Sequence, residues 1–502
     1  MVSLIQDFTP ADAGAWLEQQ NRRGESMMRK SNIAAAAACI ALAAAAAPSP
    51  RGNYTIAVES ETAKDAGWAK VVEHLRVKYD ANVVEYSKDR LAGILPALKE
   101  KKPRYVCFVA RPEAAGRALI VEAAQLLRKI DDDPWGDAIW GVVTGYDATS
   151  ALRNVSVEPF TVRRIATSMG NPNLLDSWDC GFATDEGNPG RMWKKKPGGK
   201  TEEIKTDPDP AIELARAFRT IPVDYWVTSG HATESNWQII YNRNKGFFVQ
   251  TQGILLAVPS GGGKGEPVIS RSPKVYIAAG NCLIGHVKGK ECMALAWMRS
   301  GGAVQMLGYT VSTFYGYMGW TAKSLFESGR ASAPEAHFLA NQMLLWTLGR
   351  RNTPLRDAPV DPHAPFDTGR KLRRSLPPMV RDMDDVGLIW DRDTFSCMGD
   401  PAMGAKFPAS RRDIDISQSG DAITLKFRRN ASFAKLDNVK SAKPVGLFLD
   451  REPPAGAVLM DASGNPVKDA VVCDMFALIP LEGEFKKGET LTFKIGRAPA
   501  QR

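Results

Sequence analysis

The chain has 502 residues, 44% of them apolar and 24% charged, with a formal net charge of +9. That composition can bury a large core in more than one domain, which excludes a disordered chain. Seven cysteines are scattered along it with no Cys-x-x-Cys pair, which excludes a dense disulfide framework and a zinc site of that kind. The positive charge is modest for this length. Its two basic runs, Arg191 to Lys200 and Arg370 to Arg374, lie among Pro and Gly without a recognisable binding module. They read as solvated loops, and no nucleic-acid partner is expected.

Met27 to Asn32 is a basic segment and Ile33 to Ala47 an Ala-rich apolar run, followed by Pro48-Ser49-Pro50. This order is that of a secretory signal peptide, so translation is expected to begin at Met27 or Met28. The apolar run of about 15 residues is short of the ~20 that span a bilayer. No stable membrane insertion is expected after cleavage, although a membrane anchor is the alternative. The mature protein is expected to be secreted, periplasmic or at the cell surface. Cleavage would remove Cys39 and leave Cys107, Cys180, Cys282, Cys292, Cys397 and Cys473. Cys107 and Cys473 fall in strand-like apolar runs and read as buried thiols.

From Asn53 onward strand and helix signals alternate. Tyr54 to Val58, Val83 to Tyr86 and Arg104 to Ala110 are strand-like; Ala63 to Lys78, Leu91 to Leu98 and Ala114 to Lys129 have helical spacing. The alternation predicts an α/β fold with mostly parallel strands flanked by helices; flavodoxin-like and caspase-like strand orders both remain open. An acidic, turn-rich segment, Asp131 to Asp137, leads into another apolar run. Residues 170–210, rich in Gly, Pro, Asn and Lys, read as a long surface insertion. A helix over Ala211 to Arg219 feeds the strand Val223 to Ser229, which ends at Gly230-His231. The run Ser260 to Gly265 lacks P-loop spacing and reads as a flexible loop. Val275 to Gly280 is another buried strand, ending at Asn281-Cys282. Cys292 to Arg299 is helical, Gly302 to Gly308 a strand, and Phe314 to Leu325 and Pro334 to Leu348 are helices. The Pro-rich stretch after Asn352 is linker-like. Beyond Asp413, short alternating runs with a Gly464-Asn465 turn predict a small immunoglobulin-like β-sandwich. The expected units are a leader (1–52), an N-terminal α/β subdomain (53–155), a second α/β subdomain (156–352), a linker and closing segment (353–410) and the sandwich (411–502).

Two apolar strands thus end in His231 and Cys282. Loops leaving the carboxyl ends of strands line the crevice of an open α/β sheet. A neutral imidazole suits the task of taking a thiol proton, and the thiolate is the nucleophile. The plainer reading makes Cys282 a buried small hydrophobe and His231 a hydrogen-bonded core residue. His286 is a rival base by proximity in sequence; His74, His337 and His363 have no comparable setting.

Three blocks, Gly230 to Trp237, Ala278 to Cys282 and Gly302 to Gly316, resemble consecutive blocks of the gingipain-type cysteine peptidases, relatives of caspases and legumains. The resemblance covers roughly residues 54 to 407 and ends near Gly399-Asp400-Pro401, similar to the segment that closes the catalytic region there. It implies a caspase/gingipain-like sheet and peptide-bond hydrolysis in protein or peptide substrates by Cys282 with His231. Backbone amides of Cys282 and Ala232 would hold the oxyanion, although the family usually has Gly at the second position. It also implies substrate contacts from Glu234, Trp237 and Tyr315, and from Asp137 a pocket for an Arg or Lys side chain. The strand after Asp137 ends Thr144-Gly145-Tyr146 where the family more often has Gly-Arg, and a loop Asp that caps a turn is the other reading. Asp131, Asp132 and Asp133 are candidates to orient His231. No cofactor and no catalytic metal is required; the resemblance admits a structural calcium ion. The competing expectation is a catalytically silent secreted or cell-surface binding protein; a hydrolase of non-peptide amides would use the same pair.

Overall fold

The computed structural model describes residues 52–167, 172–185, 187–239, 246–313, 316–351, 353–363, 374, 383–438 and 441–497. Residues 1–51 of the expected leader, Tyr315 and most of the basic run at 370–374 lie outside them. Four apolar runs form parallel strands β1 (Tyr54–Glu59), β2 (Asn82–Tyr86), β3 (Tyr105–Val109) and β4 (Ile139–Val143). The middle of the chain adds β5 (Arg164–Thr167), β6 (Cys180–Thr184), β7 (Arg191–Lys195), β8 (Thr201–Lys205) and β9 (Tyr225–Gly230). A separate antiparallel sheet follows, made of β10 (Asn236–Gln238), β11 (Phe247–Thr251), β12 (Ile254–Val258) and β13 (Glu266–Val268). Then come β14 (Lys274–Asn281), β15 (Ala303–Tyr309) and β16 (Phe395–Met398).

The large sheet has 12 strands in the order β2-β1-β3-β4-β16-β15-β14-β9-β5-β6-β7-β8. β16 runs parallel to β4 but antiparallel to β15, so two parallel blocks meet there in opposite directions. Parallel strands covered on both faces read as unbroken apolar runs, and β1, β4 and β15 are buried at every position. The two faces alternate residue by residue. Trp226, Tyr276 and Met306 pack on one side with Phe218 and Trp297, whereas Tyr225, Ile277 and Leu307 pack on the other with Met318, Phe326 and Leu344.

The insertion at 170–210 differs from its reading as a loop, since β6, β7 and β8 extend the sheet there. The apolar Cys180–Thr184 is buried throughout, and β7 and β8 form a hairpin in which Met192 and Trp193 are buried. Helix-breaking Pro197, Gly198 and Gly199 sit in the hairpin turn, with Gly198 at φ +71°, so turn chemistry rather than disorder explains the composition. The stretch Ala63 to Lys78 is likewise two helices, Ser60–Lys64 and Ala66–Tyr79, because Asp65 caps the second by accepting from the amides of Gly67 and Trp68.

The last hundred residues form small antiparallel sheets. One orders Ile414–Ser419, Ala422–Phe427, Thr490–Arg497 and Ala457–Met460; another orders Val445–Phe448, Phe476–Ile479 and Val471–Cys473. They share a core that includes Ile423, Leu425, Leu447, Ile479 and Phe493. Gly464, at φ +82°, turns the chain so that the Asp461 amide donates to the Asn465 carbonyl. This unit packs on the helix Ala333–Arg351, where Phe338 meets Phe448 and Phe476 with ring centroids 5.7 Å apart in each pair. No helix among the described residues is long and apolar enough to cross a membrane.

Candidate active site

The strands ending at His231 and Cys282 are direct neighbours. β9 and β14 pair in parallel, and the last matched residues are Gly230 and Asn281. His231 and Cys282 therefore leave the ladder side by side at one edge of the sheet. A register shift between Ala278 and Gly280 brings this about, because the bulge advances β14 by one residue against β9. Gly280 permits it: a Cβ there would stand 2.4 Å from the Ser229 hydroxyl. Gly230, at φ +126°, is a backbone state that side chains disfavour.

Asn281 locks the two ends together. It is fully buried; its Oδ1 accepts from the Thr228 hydroxyl (2.6 Å) and its Nδ2 donates to the Gly230 carbonyl (3.1 Å). Thr228 also lies 2.9 Å from the Tyr276 hydroxyl, so a buried polar chain runs directly behind the pair. Asn281 was no candidate in the sequence, where an Asn beside a turn-forming Gly reads as a strand terminator. Beyond the edge, Leu283 adopts φ +59°, an uncommon state for a branched residue, and its amide donates to the Val311 carbonyl (3.0 Å). The Cys282 sulfur accepts from the Thr313 amide at 3.2 Å. Cys282 is half-buried and His231 exposed, whereas Cys107, Cys180, Cys292 and Cys397 are buried; all six described cysteines are free thiols. Burial pushes the Cys292 thiol up to about 11, and those of Cys107 and Cys397 higher still.

The other expected residues separate into those near the pair and those elsewhere. Ala232 follows His231 at the same edge, and it is not among the residues with positive φ, so Ala fits where Gly was expected. Glu234 is half-buried; its carboxylate accepts from the Lys288 ammonium at 3.3 Å, and its carbonyl accepts from the Met293 amide. Burial opposes its charge, but hydrogen bonds from its own amide and from Lys288 outweigh this and hold the carboxyl below the ordinary range. Trp237 is a correction: it is fully buried, not a cleft wall. Its ring packs against Trp226 and Phe248 at 5.9 and 5.4 Å, and its Nε1 donates to the Ser229 carbonyl, so it pins the hairpin that follows His231. His286 is a poor base, because burial, then the Arg117 charge, push its imidazole down to about 4. His337 is a core residue 2.9 Å from the Phe395 carbonyl.

Asp137 stands apart from the pair in the sheet order. Since β4 runs against β14, its amino end points toward the same edge as Cys282, but it lies three strands away, roughly 14 Å at ordinary strand spacing. Asp137 instead joins Asp131, Asp133 and Asp474, whose carboxylate oxygens lie within 4.8 Å of one another. Asp131, Asp137 and Asp474 border a cavity of about 240 Å³ between the segments that lead into β1, β3 and β4 and the C-terminal sheets. Burial, then Asp131, Asp474 and Asp133, push Asp137 up to about 8, and its Oδ1 is buried without a partner. Burial and the neighbouring carboxylates thus both oppose a charge on Asp137. Asp131 and Asp133 belong to the same cluster, and Asp132 is exposed beside it, so none of the three lies where it was expected to orient His231. Four hard oxygen donors of this kind suit a calcium ion better than any thiophilic metal.

No family model and no curated protein matches this chain. A solved structure described as "Structure of Protease" is similar over 89% of this chain and 95% of its own, with 8% identity and a TM-score of 0.41. A likeness of that size transfers neither fold nor activity.

Proposed function

We propose that this chain is an exported cysteine endopeptidase of the gingipain type, with a caspase-like sheet and an immunoglobulin-like sandwich. The observation that carries the reading is the pairing of Gly230 with Asn281, after which an exposed imidazole and a half-exposed thiol emerge side by side. His231 takes the Cys282 proton as the sulfur attacks the scissile carbonyl. The tetrahedral oxyanion is held by the amides of Cys282 and Ala232. Collapse expels the amine, which receives the proton from His231, and leaves a thioester on Cys282. Water, deprotonated by His231, then hydrolyses the thioester to the carboxylic acid and restores the thiol. This chemistry needs no cofactor; the cluster of Asp131, Asp133, Asp137 and Asp474 has the donors a structural calcium ion would use.

The test is hydrolysis of a fluorogenic peptide panel by the mature protein with reductant present, beside Cys282→Ala and His231→Ala. Turnover that both substitutions abolish supports the dyad. No turnover by the unaltered protein, with Cys282 inert toward a peptidyl thiol probe, would replace the peptidase by a binding protein.

A further inference from the structure

Trp320 is a large apolar side chain left 40% exposed, and only Val77 and Val83 share that status among the described residues. Its position is not that of a stray surface residue. A Cβ on Gly280, two residues before the thiol, would lie 3.5 Å from the Trp320 ring; a Cβ on Gly316 would lie 3.1 Å from it and 3.6 Å from the Thr313 methyl. Thr313 is the residue whose amide reaches the Cys282 sulfur. The indole is therefore seated between two glycines, one on each chain segment that flanks the nucleophile.

The seat is rigid. The helix Tyr317–Glu327 crosses β14 so closely that a Cβ on Gly319 would stand 2.1 Å from the Ala279 carbonyl oxygen. Its first turn is tied to β15 and to the helix Met383–Thr394: the Met318 amide donates to Asp391 (3.0 Å) and the Gly319 amide to the Tyr309 hydroxyl (2.8 Å), which in turn donates to Asp391 (3.2 Å). Asp391 is itself fully buried, and burial pushes its carboxyl up to about 7. A flat aromatic face held in place at little entropic cost is what a side-chain subsite requires.

Building on the peptidase reading, we propose that Trp320 is a specificity-determining residue, forming the wall against which the side chain of the residue donating the scissile carbonyl packs. The substrates it selects carry a large apolar or aromatic side chain there. A basic side chain is disfavoured because Asp137, the carboxylate expected to pair with it, faces another cavity. Aromatic pairs contribute beyond simple area burial, which favours Phe and Tyr over Leu.

The experiment compares kcat/KM of the full chain and of Trp320→Ala and Trp320→Phe on peptides with Phe, Leu, Ala or Arg at that position. It also measures the alkylation rate of Cys282 by iodoacetamide, which has no side chain to bind. The unaltered protein should prefer Phe over Ala, and Trp320→Ala should reduce that ratio by roughly 10- to 100-fold. Trp320→Phe should restore most of the preference. A protein that prefers Arg, or a Phe/Ala ratio unmoved in both variants, would overturn the inference while leaving the peptidase intact. Absence of any cleavage together with slow alkylation of Cys282 would instead remove the peptidase reading, and the inference with it.

Discussion

The edge where β9 and β14 end and the cavity beneath the C-terminal sheets both gather ionisable side chains, yet they are built in opposite ways. At the strand ends, the fully buried partners are neutral: Asn281, Thr228 and Tyr276 satisfy one another and leave the thiol and imidazole at the surface. In the cavity the ionisable groups are themselves drawn in: burial, then the neighbouring carboxylates, push Asp137 up to about 8 and Asp474 up to about 6. The proposed chemistry needs exposed reactive groups on a fixed frame, and the first region has that arrangement. The second resembles an interface under electrostatic load.

The largest effect that would break this contrast is at Cys282, the proposed nucleophile. Cys282→Ala should lower peptide turnover by about 10⁴-fold or more, with little change in melting temperature because the side chain is only half-buried; residual activity near the original level would dismiss the thiol. In the native protein, iodoacetamide should modify Cys282 roughly 100-fold faster than Cys107, Cys292 or Cys397, which are shielded and hard to ionise; peptide mass mapping over time reads the order. Asn281→Ala removes one of the two partners of the Thr228 hydroxyl and the side-chain donor to the Gly230 carbonyl. It should cost about 1–3 kcal/mol in denaturant melts and reduce kcat roughly 10- to 100-fold through lost alignment, with KM changing less.

The smallest effect belongs to the cavity. A carboxyl whose folded pKa is raised favours the protonated, folded state, so its contribution to stability is full at pH values below the ordinary carboxylate range. It is lost as pH rises from there toward about 8 for Asp137. Asp137→Asn should therefore raise the melting temperature at pH 8.5, by about 1–3 kcal/mol of stability, and converge with the unaltered protein near pH 4. Melts in a chelating buffer check this; equal curves at both pH values would show that the carboxyls do not repel one another.

Where the two candidate residues lie was legible because strand ends depend on local chemistry. Apolar runs that stop at Gly230 and at Gly280-Asn281 announce strand ends, and the following His and Cys inherit their place at an edge. The resemblance implied a substrate contact from Trp237, whereas its burial comes from Trp226 and Phe248 in other elements. The surroundings of Asp137 are equally non-local: Asp474, contributed from more than 300 positions away, makes a loop carboxylate part of an acidic cluster. The strands at 180–205 were hidden by a Pro-Gly-Gly turn and a lysine run.

The sequence by itself determined the alternation of strand and helix, the paired short strands of the last hundred residues, and the residue at the tip of each central strand. Those features follow from side-chain periodicity and backbone preference over a few neighbouring residues. Tertiary structure alone decided the strand order, the antiparallel insertion of β16 between β4 and β15, and the bulge at Gly280 that aligns His231 with Cys282. The same holds for the exposure of Trp320 beside them. Each depends on which distant segments share a ladder or a face, and that choice is made by the summed burial of the whole core rather than by any local run.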